Sequence, residues 1–123
     1  MLTTAAYGLA IALDLLILFI GCRFLVVPQA AAAGYGVAAK PDGDAAYLTI
    51  KGVRDVTFGV VGLALLAFAG ARAEAWFMVA VALAPLGDTL IVLRHGGTKA
   101  AAFGIHFATA VTVLISAALL FAV

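Results

Sequence analysis

The sequence predicts an all-α integral membrane protein, an up-down-up-down bundle of four spanning helices. Of its 123 residues, 67% are hydrophobic and 11% are charged, whereas soluble domains are about half apolar and about a quarter charged. The apolar residues form four long runs, and a bilayer span needs about 20 such residues. Short connections at residues 70–72 and 95–98 make consecutive helices antiparallel.

The same composition excludes several classes of protein. A mean hydropathy of +1.25 excludes a soluble globule and also a disordered chain, which is poor in apolar residues and highly charged. The net charge of +1 leaves no basic surface for nucleic acid. Four spans use nearly the whole length, so we expect one transmembrane domain over residues 1–123. The single cysteine, Cys22, cannot form an internal disulfide.

Each predicted span follows one apolar run. The first ends at Val27 because Pro28 cannot continue a helix. No basic residue precedes this run and it reaches bilayer length, so we expect a retained span and not a cleaved signal peptide. Pro85 predicts a kink in the third span. The four spans are about 4–27, 45–69, 73–93 and 99–123. Glycines inside them predict close helix approach at Gly52, Gly59, Gly62, Gly87 and Gly104.

The connection between the first two spans has two parts. Its alanine-rich beginning suits a short surface helix, and Pro-Asp-Gly-Asp at residues 41–44 predicts a turn. Asp42 or Asp44 then caps the second span, since a carboxylate is favourable at a helix N-terminus.

The basic residues outside the spans predict the orientation. Lys40, Arg94 and Lys99 lie at the end shared by the first and third connections, against Arg72 alone at the other end. By the positive-inside rule, the first and third connections are cytoplasmic and both termini lie outside. In a bacterium this membrane would be the inner membrane.

The ionisable residues of the spans gather toward the cytoplasmic end. At about 1.5 Å of rise per residue, six lie within about 15 Å of that end and Asp14 lies at about 20 Å. The other half of the bundle is almost free of such groups. An ionised side chain facing lipid costs about 2.5–3.5 kcal/mol, so we expect all of them to face a shared polar cavity. The six are Arg23, Lys51, Arg54, Asp55, Asp88 and His106.

Helical spacing supports this expectation. On the third span, Asp88 and His95 are two turns apart on one face. The second span carries a stripe of Tyr47, Lys51, Arg54 and Asp55. The fourth carries a polar stripe of His106, Thr109, Thr112 and Ser116.

These groups predict a membrane enzyme or binding protein for a lipophilic small molecule. The catalytic candidates are Asp55, Asp88 and His106, a carboxyl group acting as general acid or base with the imidazole. The reaction would be an isomerisation, cyclisation or hydrolysis that needs no cofactor. Cationic and polar side chains would orient an oxygen-bearing group of the ligand. The ligand-binding candidates are Arg23, Lys51, Arg54, Tyr47 and His95.

Three alternatives stay open. In the first and simplest, Asp55 forms a structural ion pair with Lys51 or Arg54. A buried ion pair, however, stabilises a protein little more than apolar packing does. The second is proton-coupled transport by a homo-oligomer, because four short helices with the intramembrane Asp14 superficially resemble the small multidrug-resistance transporters. The third is an assembly subunit of a membrane complex.

Other site chemistry is not favoured. A metal centre needs clustered ligands, whereas His95 and His106 are isolated on different helices. No nucleophile motif of a serine-type hydrolase is present in the sequence.

Several short blocks of the sequence resemble a known family. They are Arg23-Phe24-Leu25 with Pro28, Lys51-Gly52-Val53-Arg54-Asp55, Gly87-Asp88-Thr89, Arg94-His95-Gly96-Gly97 and His106. Together they are similar to the signature blocks of small bacterial and fungal membrane proteins grouped as domain-of-unknown-function family 4267. The resemblance extends from about Gly21 to the last helix, and Asp14 lies outside it. It implies a four-helix membrane fold and assigns no activity, so the functional hypothesis rests on the residues themselves.

Overall fold

The computed structural model describes residues 1–41 and 43–123, and within them every regular element is a helix. The all-α prediction is therefore confirmed. In chain order the elements are α1 (Leu2–Val26), α2 (Pro28–Tyr35), α3 (Ala45–Phe68), α4 (Ala71–Val81), α5 (Leu83–Arg94), α6 (Lys99–Ala101), a π-helix (Ala102–Phe107) and α7 (Ala108–Phe121).

Among the described residues, three helical stretches are long and apolar enough to cross a membrane: Leu2–Val26, Ala71–Arg94 and Lys99–Phe121. They indicate a membrane protein, and large exposed side chains such as Phe19 (59% exposed) and Leu83 (72% exposed) suit contact with lipid. Helix α3 is as long, at 24 residues. It differs from the other three because the charges of the Lys-Gly-Val-Arg-Asp block lie within it.

Helices α1 and α3 pack closely because glycines face each other across their interface. A Cβ atom on Gly21 would lie 2.6 Å from the backbone nitrogen of Val56, and one on Gly52 would lie 2.9 Å from the carbonyl oxygen of Gly21. Farther along, a Cβ atom on Gly59 would lie 2.7 Å from the carbonyl oxygen of Asp14. Only glycine permits such contacts, so the predicted close approach is confirmed here.

The same prediction is wrong for two glycines of the other stretches. Cβ atoms on Gly87 and Gly104 would meet no neighbouring atom within 4 Å. Both residues lie on faces that no helix covers, which sequence spacing alone does not distinguish from packed faces.

The third stretch is interrupted at Ala82, between α4 and α5. Pro85 causes this, because it has no N–H to donate to the carbonyl of Val81 and its ring crowds that carbonyl. The predicted kink is therefore located three residues before the proline.

The fourth stretch begins at Thr98, whose hydroxyl accepts a hydrogen bond from the Ala101 N–H at 3.0 Å. It then widens into the π-helix before continuing as α7. The polar stripe in the sequence predicts one regular α-helix here, and this prediction misses the wider turn.

The alanine-rich connection after α1 forms the expected short helix, and one of its faces is buried instead of lying free at the surface. Ala31 and Ala32 of α2 are buried against Phe24 of α1, and Gly36 ends α2 in the left-handed conformation, with φ of 98°. At the start of α3, Asp44 makes no side-chain cap, because its carboxylate accepts the Lys40 N–H at 2.5 Å instead. The alternative cap, Asp42, lies outside the described residues.

Candidate functional site

A cavity of about 280 Å³ lies inside the helical assembly. It begins near Phe24 and Asp88 at what we call the loop end, the end of the helices that carries α2 and residues 95–98. It ends at Leu13 and Asp14 on α1. Its walls are mainly apolar, whereas we expected a polar cavity, because the polar groups gather at its two ends.

The cavity has an open side between α1 and the helices that follow the Ala82 interruption. Three residues that line it, Leu16, Phe19 and Ile105, are themselves at least 44% exposed. All three are apolar and lie in helical stretches that are apolar enough to cross a membrane. The margin of the opening is therefore apolar.

Tyr35, the last residue of α2, organises the loop end of the cavity. Its hydroxyl donates a hydrogen bond to the Asp88 carboxylate on α5. Its carbonyl oxygen lies 2.6 Å from Nε2 of His106, which therefore donates, and the two rings lie 4.2 Å apart at 58°. One residue of the connection thus joins α5 to the π-helix, and it was missing from the sequence-based candidates.

Asp55 and Lys51 form an ion pair at the same end. Lys51 Nζ lies 2.6 Å from Asp55 Oδ2, with the Asp55 side chain 8% exposed. The ammonium group also lies over two aromatic rings, 4.7 Å from the centre of Phe24 and 4.3 Å from that of Tyr35. We call Tyr35, Lys51, Asp55, Asp88 and His106 the loop-end cluster.

The phenol of Tyr35 lies outside the membrane-spanning stretches. Its burial, followed by the negative charge of Asp88, raises its pKa well above the ordinary value of about 10. Tyr35 therefore stays protonated at neutral pH and acts as a hydrogen-bond donor.

The structure does not bring all predicted site residues together. Asp55, Asp88, His106 and Arg23 line the cavity, Arg23 from an exposed position, and Lys51 joins them through Asp55. The expectation that all of the charged groups face inward is wrong for Arg54, which is exposed and does not line the cavity. The face of α3 that reaches the cavity is too narrow to include a residue three positions after Lys51.

Two further ligand-binding candidates also lie outside the cavity. Tyr47 is 73% exposed, because it lies near the start of α3, beyond the part that contacts α1. His95 is exposed at the end of α5, where its Nδ1 lies 2.9 Å from the Ile91 carbonyl oxygen.

A second polar group closes the inner end of the cavity. Asp14 lines it there, 4% exposed, and the Glu74 side chain of α4, 0% exposed, lies next to the Asp14 carboxyl group. The two carboxyl groups lie within side-chain hydrogen-bonding reach of each other, and such a bond needs a proton on one of them. Apart from this contact, Asp14 Oδ2 and both Glu74 oxygens have no partner among the described residues. We call Asp14 and Glu74 the inner acid cluster.

Glu74 corrects the expectation that one half of the assembly is free of buried ionisable groups. Sequence reasoning missed it because it lies near the start of the third run, where a charge is normally at the membrane surface. The spacing along the run could have found it. Glu74 precedes Asp88 by two heptads, so both lie on one helix face, and Phe77 and Val81 between them line the cavity.

The comparisons with known proteins identify a family and nothing beyond it. The sequence model of a family described as "Domain of unknown function (DUF4267)" matches residues 15–120. No curated protein and no solved structure matches the chain. Within the described residues, no three His, Cys, Asp or Glu side chains are placed to hold a metal ion.

Proposed function

The chain belongs to the DUF4267 family, and we propose that it binds a lipophilic small molecule in the cavity between its helices. One observation carries this proposal: an apolar cavity with an exposed apolar margin ends at a cluster of polar groups. Binding sites for small molecules are typically apolar clefts with a few convergent polar groups. With a volume of about 280 Å³, the cavity is close to the smallest of such sites, which begin at roughly 300 Å³. It therefore suits a small ligand.

The route to this cavity supports a lipophilic ligand over a water-soluble one. Exposed Leu16 and Phe19 form its margin on α1. A ligand that dissolves in the bilayer would meet this margin directly, and its apolar part would gain about 25 cal/mol for each Å² removed from water. Its polar group would then point to the loop-end cluster.

We propose that α3 is a fourth span, which completes an up-down-up-down bundle. Its 24 residues rise about 36 Å, more than the hydrocarbon thickness. The ion pair of Lys51 and Asp55 is internal, and Arg54 is close enough to one end to extend its head group toward water. In this bundle the loop end is cytoplasmic and both termini are outside, because basic residues are more frequent at the loop end.

Acid/base chemistry on the bound ligand is an extension of this proposal. Because His106 Nε2 donates to the Tyr35 carbonyl, its Nδ1 carries no proton in the neutral ring and can accept one. The Asp88 carboxylate, held by Tyr35, is the second acceptor. These groups suit an isomerisation, cyclisation or hydrolysis in which a proton is moved within a water-poor site.

Binding is tested by filling the cavity. Val113 lines it, whereas Val111 on the same helix does not and is 41% exposed. We expect Val113→Phe to abolish binding of 4-phenylbutanol to protein in nanodiscs, measured by calorimetry, and Val111→Phe to leave binding unchanged. Equal binding by both variants, or no binding by the wild type, would reject the proposal. Mass spectrometry of molecules that copurify with the wild type, and not with Val113→Phe, would identify the natural ligand class.

Proton-coupled transport is a second candidate because Asp14, buried near the middle of α1, lines the cavity. A transporter opens alternately to both sides. Uptake into liposomes driven by a proton gradient, lost in Asp14→Asn and kept in Asp44→Asn, would favour transport over simple binding.

A further inference from the structure

The His106 side chain presents an unused hydrogen-bond acceptor to the cavity. It is only 2% exposed and lines the cavity. Its Nε2 donates to the Tyr35 carbonyl oxygen at 2.6 Å, so Nδ1 of the neutral ring is an acceptor. Among the described residues, Nδ1 has no hydrogen-bond partner and is not one of the fully enclosed polar atoms. This nitrogen therefore faces the cavity.

We propose that the cavity ligand is a neutral lipophilic alcohol or phenol, whose hydroxyl group donates a hydrogen bond to Nδ1 of His106. This inference rests on the proposed function, and it names the chemical class of the ligand. The apolar body of such a molecule would lie against the apolar walls, with its hydroxyl group at the loop end.

The free polar atoms of the loop-end cluster are acceptors. Asp55 binds Lys51 through Oδ2, and Asp88 accepts the Tyr35 hydroxyl through Oδ2. The Oδ1 atoms of both carboxylates have no partner among the described residues, and both residues line the cavity. A ligand that offers only acceptor atoms, such as an ether or a ketone, would leave these atoms unsatisfied.

The donors of the loop-end cluster are already used. The Tyr35 hydroxyl has one hydrogen and donates it to Asp88. The Lys51 ammonium group pairs with Asp55 and lies over two aromatic rings, and Lys51 does not itself line the cavity. A ligand hydroxyl supplies the donor that this end lacks, and its lone pairs stay available to Arg23, which lines the cavity.

The charges at the loop end favour a neutral ligand over an ionised one. Lys51 and Arg23 are positive there. Asp55 and Asp88 are negative, so the formal charges cancel. The His106 ring adds none, since no carboxylate among the described residues lies within ion-pairing distance of it. An ammonium group or a carboxylate on the ligand would bring an unbalanced charge into a mainly apolar cavity, which is unfavourable.

The experiment compares three probes of similar size that differ in their polar group: 4-phenylbutanol, its isomer (3-methoxypropyl)benzene and 4-phenylbutylamine. The alcohol donates and accepts, the ether only accepts, and the amine is positively charged at neutral pH. Binding is measured by calorimetry on the full chain in nanodiscs, with protein-free nanodiscs subtracted. We expect the alcohol to bind about fivefold more tightly than the ether, the effect of one net hydrogen bond, and more tightly than the amine.

The variant His106→Gln keeps an N–H group for the Tyr35 carbonyl oxygen and removes Nδ1. We expect it to bind the alcohol and the ether equally, with the affinity for the ether unchanged. The matched variant His95→Gln, at an exposed residue outside the cavity, should keep the preference for the alcohol. In wild-type protein isotope-labelled at its histidine nitrogens, the Nδ1 resonance of His106 should shift with the alcohol and not with the ether, which tests the contact even if His106→Gln does not fold.

Equal or tighter binding of the ether or the amine by the wild type would overturn the inference and leave the proposed function standing. A preference for the alcohol that persists in His106→Gln would do the same. Failure of all three probes to bind would overturn both.

Discussion

The loop-end cluster and the inner acid cluster lie at the two ends of one cavity and differ in how their polar groups are satisfied. At the loop end, Asp55 is paired with Lys51, and Tyr35 joins Asp88 to His106. At the inner end, the carboxyl groups of Asp14 and Glu74 lie within hydrogen-bonding reach of each other, and among the described residues no cation is paired with them. Both ends therefore contain buried carboxyl groups, and they differ in what lies opposite them.

This difference separates two reasons for burying polar groups. A satisfied network holds helices in register, and removal of one of its partners lowers the free energy of unfolding. Two acids buried together without a cation lower stability and are retained where they serve binding or chemistry. Stability measurements can therefore assign each end.

The largest effect is expected from Gly62→Ala, which places a methyl group against the Asp14 carboxyl group. We expect a loss of about 2–3 kcal/mol in the free energy of unfolding, the range for an overpacked site, measured by SDS titration of the purified protein. Adding Asp14→Ala should recover most of the loss. Gly104→Ala, where the methyl group meets no neighbour, should be neutral or stabilising by up to about 1 kcal/mol. Similar losses for both glycine variants would show that the inner end is not tightly enclosed.

Breaking the ion pair at the loop end comes next. Lys51→Met leaves the buried Asp55 carboxylate without its cation, and the pair is intermediate between exposed and buried, with Lys51 27% exposed. We expect a loss of about 2 kcal/mol in the same titration, against little change for the exposed Lys99→Met. The double variant Lys51→Met/Asp55→Leu should lie closer to the wild type than the single one. If Lys51→Met left the free energy of unfolding unchanged, the Lys51–Asp55 pair would contribute no more than an ion pair on the protein surface.

The inner end should respond in the opposite direction. Glu74→Met removes one of two adjacent buried carboxyl groups and keeps its approximate volume, so we expect a gain of about 1–2 kcal/mol in the free energy of unfolding. The matched change at the loop end, Asp55→Leu, should be destabilising because it leaves Lys51 unpaired. A destabilising Glu74→Met would mean that the contact with Asp14 outweighs the cost of burying two acids, and the contrast between the two ends would fail.

The smallest effect is expected at Tyr35. Tyr35→Phe removes the hydrogen bond to Asp88 and should cost about 1 kcal/mol, whereas Tyr47→Phe, 73% exposed, should change nothing. The raised pKa of Tyr35 also predicts a pH dependence. Above pH about 10, the unfolded chain loses the phenolic proton and the folded chain keeps it, so the stability of the wild type falls as pH rises. This alkaline loss should be smaller in Tyr35→Phe, and equal slopes would contradict the assignment.

Much of the fold could be predicted because it follows from local properties of the chain. The lengths of the apolar runs, together with Pro28, predict the ends of the helical stretches to within two residues. Pro85 predicts a kink in the third stretch, and the helix is interrupted there at Ala82. The buried face of α2, formed by Ala31 and Ala32, could not be predicted in this way. Its alanines carry no periodic signal, and their burial depends on the tertiary contact with Phe24.

The candidate site was predictable where spacing decides it. Asp55, Asp88 and His106 meet around one cavity, as expected from depth and helix face. Tyr35 was missed because a short connection gives no register to place its side chain. Glu74 was missed because it lies in the first turn of α4, where a charge is normally at the membrane surface.

The π-helix at Ala102–Phe107 affects which insertions and deletions the sequence can accept during evolution. A π-helical turn contains one residue more than an α-helical turn. It therefore sets the rotation of the segment that carries His106 relative to the segment that carries Ser116. Deleting one residue there would convert the wide turn into an α-helical one and keep the faces of both flanking segments. The wide turn can therefore absorb a single deletion without moving either end of the cavity.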